Sequence, residues 1–255
     1  MTNLHLIMPM GGAGSRFSFS VPKPLIPLQN KPFFYWATQS ITKFLEPMDI
    51  TFVVLKEHVE KFSIDVEIHN FYPNAKVIII PHVLNGAVLT CLEGVKDIND
   101  GLPLLFNDCD HTFICKSFYD FVNNKDHKSS NNNNNDAIKA SQIDGALLTF
   151  SSTDLKYSFL DCKGYQVIRT VEKEVISNHA ICGAYYFKNK DIFKASAKEY
   201  LDECSYSEYF MSGVYNAMIN NGMKVSYFET DIHIPFGVPE ELEIAKTDER
   251  LKLVC

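Results

Sequence analysis

Two groups of residues have the types and spacing for chemistry on phosphates. The first is Met10-Gly11-Gly12-Ala13-Gly14-Ser15-Arg16, followed by Pro22-Lys23-Pro24-Leu25. Glycines at 11, 12 and 14 let backbone N–H groups approach an anion with no Cβ in the way. Arg16 can set a planar fork of donors on phosphate oxygens. Lys23 stands between two prolines, which stiffen the backbone and limit where its ammonium points. The pattern is not G-x-G-x-x-G, because Phe17 takes the third glycine position. It is not G-x-x-x-x-G-K-[ST] either, because no lysine follows at the required place. A flexible glycine turn with two surface cations would look similar. The Pro-Lys-Pro-Leu segment and the placement after a first apolar strand argue for a cradle that holds a triphosphate.

The second group is Asn107-Asp108-Cys109-Asp110. Two carboxylates two residues apart offer hard oxygen ligands to Mg²⁺ or Mn²⁺. An isolated D-x-D reads first as a solvated turn; across a rim from a phosphate loop, the metal reading is the better one. Asp110 is the first choice of metal ligand and Asp108 the alternate. Cys109 lies between them with no partner base for a nucleophilic role.

The elements that position these groups follow from apolar patterning. Leu4–Pro9 reads as a buried strand that runs into the glycine loop. Apolar residues at 33, 34, 36, 37, 41, 44 and 45 follow helical spacing after Pro32. The β-branched runs Ile50–Leu55 and Val77–Ile80 read as buried parallel strands, with a helix over 57–70 between them. Gly86–Ile98 reads as a helix and Leu102–Phe106 as a strand. Such alternation predicts βαβ units and a parallel sheet, with both chemical groups on the rim at the strands' carboxyl ends. The second half changes character. Strands are expected at Asp144–Ser151, Ser158–Asp161, Gln166–Glu172 and Ala180–Phe187, then helices at 190–203, 207–221 and 239–246. The expectation is one α/β domain over 1–255, with a nucleotide-binding half (1–122) and a more antiparallel acceptor-binding half (143–255). The Asn-rich segment 123–142 between them reads as a flexible surface insertion.

Composition narrows the function classes. The chain has 255 residues, 46% of them apolar, which is ample for one continuous core. A net charge of −7 argues against a nucleic-acid partner, which needs a cationic surface. Seven cysteines without a C-x-x-C pair read as reduced thiols. There is no basic, apolar leader near the start, and no stretch approaches the roughly 20 apolar residues of a membrane span. A cytoplasmic location, with no membrane partner, is therefore expected. His5, His58, His69, His82 and His179 show no ligand spacing and read as structural or surface residues.

The glycine loop with Pro22-Lys23-Pro24-Leu25 resembles the signature of the sugar-phosphate nucleotidyltransferases, and further segments match in the family's order. Leu84-Asn85-Gly86-Ala87 resembles the segment that contacts base and ribose, and Asn107–Asp110 the metal-bearing turn. Asp144-Gly145 begins the strand that leads to Lys156-Tyr157-Ser158. Glu172-Lys173, Ser177 and Ala180–Phe187 resemble the acceptor-binding E-K…S…A-x-x-G-x-Y-x-F stretch. Glu208-Tyr209 and Gly237–Leu242 complete a likeness that covers nearly the whole chain apart from the insertion. It implies a GT-A-like, Rossmann-related fold with a mostly parallel central sheet flanked by helices. It also implies an enzyme that moves a nucleoside monophosphate from an NTP to a phosphorylated small molecule, as a monomer or homodimer.

The resemblance implies residue roles as well. Met10, Gly11, Gly12, Ala13, Gly14, Ser15, Asn85, Gly86 and Asp108 would hold the nucleotide. Arg16 and Lys23 would be catalytic. Tyr157, Glu172, Lys173, Gly183 and Glu208 would bind the acceptor, and Asp110 would hold Mg²⁺ or Mn²⁺. Many relatives carry a second metal-binding Asp where this chain has Pro235, so Asp231 or His233 is the expected substitute. The implied acceptor is a sugar 1-phosphate, although some relatives transfer cytidylyl groups to phosphocholine or to capsule precursors such as phosphoglutamine. Tyr157, Tyr185, Tyr186 and Tyr209 with Glu172 would suit a cationic or amino-bearing acceptor, or they serve as half-buried structural residues. Two other readings share the fold: a GT-A glycosyltransferase that consumes a nucleotide-sugar, and a non-catalytic nucleotide-binding regulator. Arg16 and Lys23 speak against the first, and the missing ligand at 235 lends the second some support.

Overall fold

The alternating apolar residues of Leu4–Met10 sort onto two faces of one buried strand, β1 (Thr2–Met10). Leu4, Leu6, Met8 and Met10 face one core, and Ile7 faces the other. In the computed structural model, which describes residues 2–14, 17, 19–123 and 142–254, β1 pairs in parallel with β4 (Pro47–Leu55) and with β6 (Leu104–Asn107). Outside β4 lies β5 (Lys76–Ile80), also parallel. Beyond β6 the sheet continues through β11 (His179–Phe187), β8 (Gly145–Ser151), β12 (Val225–Glu229), β10 (Gln166–Glu172) and β9 (Ser158–Lys163). In this second part only β8 and β12 run parallel; β6–β11, β11–β8, β12–β10 and β10–β9 are antiparallel. The mixed sheet of nine strands thus has the parallel and antiparallel parts expected of the two halves, joined edge to edge.

Helices cover both faces. On one side α1 (Phe33–Thr42), α3 (Ile64–Phe71) and α5 (Lys116–Val122) contribute Phe34, Ile68 and Phe118 to the first core. On the other, α4 (Ala87–Gly94), α6 (Lys190–Glu203) and α7 (Met211–Asn220) contribute Cys91, Phe193 and Val214. A third core gathers Phe17, Ile26, Phe33 and Trp36 with Phe236 and Leu242. It binds the segment after the glycine loop to α8 (Pro239–Lys246) and to β13 (Ile232–Pro235). Among the described residues no helix is long and apolar enough to cross a membrane.

Three expected helices differ in extent. The one over 57–70 is broken at Ser63, whose left-handed backbone (φ 50°) ends α2 (Lys56–Phe62) and starts α3. The helix beginning near Gly86 stops at Gly94, and that of 207–221 begins only at Met211. The strand pattern also omitted β7 (His111–Ile114), which pairs with β13 in a separate two-stranded ribbon. Apart from its two ends, the Asn-rich insertion lies outside the described residues.

Helix α6 starts on a side-chain cap: Asn189 Oδ1 accepts the Ile192 N–H at 3.0 Å. Asn189→Ala should cost about 1 kcal/mol and lower the melting temperature by about 2–4 °C. Thermal unfolding followed by circular dichroism checks this.

Candidate active site

Strand order reverses at β1, whose neighbours β4 and β6 follow it in the chain on opposite sides. Loops leaving β1 and β6 therefore diverge and open a crevice at their carboxyl ends. The glycine loop forms one lip and Asn107–Asp110 the other. The Asp108 N–H donates to the Gly183 carbonyl at 2.9 Å. There β11 bulges, its register against β8 shifting between Ile181 and Tyr185. A bulge re-aims side chains; this one turns Cys182 and Gly183 toward the crevice. On the other flank the Phe236 N–H donates to the Asp110 carbonyl at 2.9 Å. A Cβ on Gly237 would stand 2.5 Å from Asp110 Oδ2, so only glycine lets the chain pass this carboxylate.

Lys23 opens a single 3₁₀ turn, Lys23–Leu25, with Pro22 extended before it. The rigid turn aims the ammonium across the crevice, where Nζ donates to Asp110 Oδ2 at 2.5 Å. Both side chains are about one-fifth exposed (21%), so the pair is only partly screened by solvent. Burial opposes charge on Lys23, but Asp110, Cys109 and Asp108 together outweigh it and hold the ammonium above its usual pKa. Burial, and next the negative charge of Asp110, push Asp108 up to about 7 against the pull of Lys23. Burial pushes the Cys109 thiol up to about 12, which leaves it no nucleophilic role.

The opposite wall comes from β9, β10, α7 and α8, around a cleft of about 200 Å³. Glu172 Oε2 accepts hydrogen bonds from the hydroxyls of Ser158 and Ser212, the latter at 2.9 Å. Lys173 is left-handed (φ 57°), and its Nζ lies 5.0 Å from the centre of the Phe210 ring. Tyr157 donates its hydroxyl to Glu241 Oε1 at 2.6 Å, and Lys156 meets the same oxygen at 2.9 Å. Burial, then the Glu241 contact, hold the Tyr157 hydroxyl protonated well above the ordinary phenol range. The other oxygen of Glu241 accepts the Gly237 N–H at 2.9 Å. Glu241 thus joins the opposite wall to the segment around Asp110.

The cleft brings together Asp108, Asp110, Tyr157, Glu172, Lys173 and Gly183. Met10 and Gly11 are buried at the end of β1, with Gly12 and Ala13 exposed beyond them and Gly14 half-buried. Ser15 and Arg16 lie outside the described residues. Asn85 and Gly86 sit against Tyr209: the Asn85 carbonyl accepts the Tyr209 N–H, and a Cβ on Gly86 (φ 96°) would fall 2.4 Å from that nitrogen. The backbone of Tyr209 thereby fixes the Asn85–Gly86 turn.

Two expectations need correction. Glu208 has an exposed side chain and does not line the cleft; Phe210 and Met211 from the same segment do. Asp231 is at the wrong end of its ribbon. Register pairs Pro235 with His111 beside Asp110, but Ile232 with Ile114 at the far end. There Asp231 accepts the Lys116 N–H at 2.7 Å at the start of α5, so it is not placed as a metal ligand with Asp110.

Sequence reading missed Glu241, His111 and Cys182 as cleft residues. Glu241 was hidden because its role depends on contacts with Tyr157 and Gly237, distant in the chain. His111 and His233 line the cleft, and among the described residues none of their four ring nitrogens makes a hydrogen bond of good geometry, although the Gly183 backbone lies near His111. Burial pushes His111 down to about 4 and His233 well below its ordinary value, so both rings are neutral at pH 7. An unmade hydrogen bond at a buried polar group costs roughly 1–3 kcal/mol, a cost ordinarily accepted only for a reason.

No protein-family model and no curated protein matches the chain. Solved structures do. A nucleoside-diphosphate-sugar pyrophosphorylase from Vibrio cholerae RC9 superposes with a TM-score of 0.77 at 19% identity, over 95% of this chain and 100% of that one. The inositol-1-phosphate CTP transferase from T. maritima gives 0.72 at 14% identity, over 99% of this chain and 96% of that one. A Bacillus anthracis structure described as a glucose-1-phosphate thymidylyltransferase, in complex with sucrose, gives 0.70 at 19%, over 95% and 93%. The chain has the nucleotidyltransferase fold of these neighbours.

Removing Lys23 takes the nearest described cation from a partly buried carboxylate. Lys23→Met should destabilise the protein by about 2 kcal/mol, and adding Asp110→Asn should recover most of the loss. Urea unfolding of the two single variants and the double variant gives the coupling energy directly.

Proposed function

We propose that this protein transfers a nucleoside monophosphate from an NTP to a phosphorylated small molecule, releasing pyrophosphate. The observation that carries the reading is the Lys23–Asp110 contact at the mouth of the glycine loop, facing Glu172 and Lys173 across one cleft. A loop for phosphates, a fixed cation and a second cation on the opposite wall are the parts needed to hold two phosphate groups together. The names of the structural neighbours, which include a CTP transferase to inositol 1-phosphate, support the same class.

In this reading an acceptor phosphate oxygen attacks the α-phosphorus in line. The new P–O bond forms as the bond to the β-phosphate oxygen breaks, and pyrophosphate departs with that electron pair. A phosphate monoester has its second pKa near 6, so it is largely dianionic at neutral pH and needs no general base. The barrier lies in bringing polyanions together, which positioned cations lower. Lys23 neutralises charge at the α-phosphate, and Lys173 holds the acceptor phosphate. Glu172, with its carboxylate set by Ser158 and Ser212, accepts from a hydroxyl or ammonium of the acceptor.

Asp110 and Asp108 supply hard oxygens beside the loop, and an ammonium ion already stands against Asp110. These donors fit Mg²⁺. When bound there, Mg²⁺ would neutralise part of the triphosphate charge. The acceptor is a sugar 1-phosphate or a phosphorylated amino-bearing compound with CTP as donor; the product would be a precursor of nucleotide-sugar or capsule biosynthesis. The reaction is assigned to the cytoplasm and to a monomer or homodimer, with no nucleic-acid or membrane partner.

Four NTPs screened against a panel of phosphorylated acceptors should release pyrophosphate with one pair in the presence of Mg²⁺, and not after EDTA treatment. Transfer of sugar from a nucleotide-sugar, without pyrophosphate release, would indicate a glycosyltransferase instead. With the active pair, Lys23→Ala should lower kcat by about 100-fold or more. Lys173→Ala should raise the acceptor KM by about tenfold, the worth of one charged hydrogen bond, and leave the NTP KM near wild type.

A further inference from the structure

We propose that His111, Cys182 and His233 form a binding site for a divalent metal ion of the zinc type on the floor of the cleft. This site goes beyond the transfer reaction and does not depend on it. One donor atom from each of the three side chains lies within 4.8 Å of the others. The fold supplies all three from separate strands. His111 starts β7, His233 sits on β13 in diagonal register with it, and Cys182 projects from the bulge of β11. The ring centres of the two histidines are 5.3 Å apart. Both rings are backed by aromatic walls, His111 on Phe113 and His233 on Phe150.

The unpaired nitrogens indicate a ligand. Among the described residues, His111 is 2% exposed yet neither of its nitrogens makes a hydrogen bond of good geometry, although the Gly183 backbone lies close, and neither nitrogen of His233 has a partner. Aromatic packing accounts for the faces of these rings but not for their edges. Two imidazoles and one thiol make a nitrogen–sulfur donor set, which suits zinc and its first-row neighbours and not Mg²⁺ or Ca²⁺. On bonds of roughly 2.0–2.3 Å, tetrahedral ligands stand about 3.5 Å apart, so a modest inward rotation of the side chains would close the cluster. Binding would take the proton from the Cys182 thiol, which leaves as H⁺ to solvent. All three residues line the cleft, so the fourth coordination position opens into it. Water or an oxygen of a bound anion completes the tetrahedron, as at zinc sites with three protein ligands.

The donor set is separate from the carboxylates Asp108 and Asp110, and a spectroscopic test separates the two. EDTA-treated protein titrated with Co²⁺ should bind one equivalent with a thiolate signature, whatever the carboxylates Asp108 and Asp110 bind besides. It should show the near-ultraviolet thiolate charge-transfer band and the visible bands of four-coordinate cobalt, and Zn²⁺ should abolish both. Cys182→Ser should remove the charge-transfer band. His111→Gln and His233→Gln should each weaken Co²⁺ binding by about tenfold or more. A Cys162→Ser/Cys204→Ser variant, which lacks the two partly exposed thiols among the described residues, should keep the full spectrum. Circular dichroism shows whether each variant is folded. Should Cys182→Ser not fold, the spectrum of the Cys162→Ser/Cys204→Ser protein and its response to His111→Gln decide the matter. The proposal is overturned if wild-type protein shows no thiolate band, if the band survives Cys182→Ser, or if neither histidine variant weakens binding. None of these readings uses transfer activity, so a failed transfer assay leaves this test standing.

Discussion

Charge crowding is the constraint around which the cleft is organised. Asp108, Asp110, Glu172 and Glu241 converge on one small space with Lys156 and Lys173, and Lys23 reaches in through Asp110. Like charges at short range cannot all ionise freely, and burial, followed by the charges of Asp110 and Glu172, raises Asp108 to about 7. The other three carboxylates are each tied to specific donors. Asp110 has Lys23, Glu172 has two serine hydroxyls, and Glu241 has Tyr157, Lys156 and the Gly237 N–H. Cations and donors are thereby fixed before any phosphate arrives, which is what electrostatic preorganisation requires.

Holding Lys23 in place is the work of the third core. The chain after the glycine loop carries Phe17, Ile26 and Leu28 into a cluster with Phe33, Trp36, Phe236 and Leu242. Trp36 closes it by donating its indole N–H to the Leu28 carbonyl at 2.8 Å. The same cluster holds Phe236, whose N–H binds the Asp110 carbonyl. One small apolar unit therefore positions both members of the ion pair, from segments about 200 residues apart in the chain. This arrangement explains why Pro-Lys-Pro and the Gly237 segment both bear on the same carboxylate.

The meeting of the glycine loop's strand with Asp108–Asp110 on one rim was legible in the sequence because its signals are local. A buried strand, three glycines and a Pro-Lys-Pro turn follow one another directly, as do the LPLLF strand and Asp108–Asp110. Helix α8 began where Pro239 marks its first turn, and α6 spans Lys190–Glu203 as its pattern suggests. What escaped was long-range. The ribbon of β7 and β13 is four residues per strand, too short for a periodic signal, and its pairing decides that Asp231 is distant while His233 is near. Likewise the side chain of Glu208 looked equivalent to its neighbours in the sequence. Only the approach of Tyr209 to Gly86 shows that the segment contributes its backbone, and Phe210, instead. Ser63 broke a continuous apolar pattern for a reason of backbone conformation that hydrophobic spacing does not encode.

The two walls of the cleft are built in different ways, and this has a consequence for specificity. One wall consists of backbone and one ion pair at the ends of parallel strands, where the topology itself makes the crevice. The other consists of side chains on or beside antiparallel strands, α7 and α8: Tyr157, Glu172, Lys173, Phe210 and Glu241. In the proposed reaction, substitutions there would change the shape and charge offered to an acceptor. Glu241 bears on both walls, because its two oxygens join Tyr157 and Lys156 to the Gly237 backbone beside Asp110. The second wall is therefore mechanically tied to the Asp108–Asp110 turn through one carboxylate. A change at Glu241 alters both walls, whereas a change at Phe210 alters one.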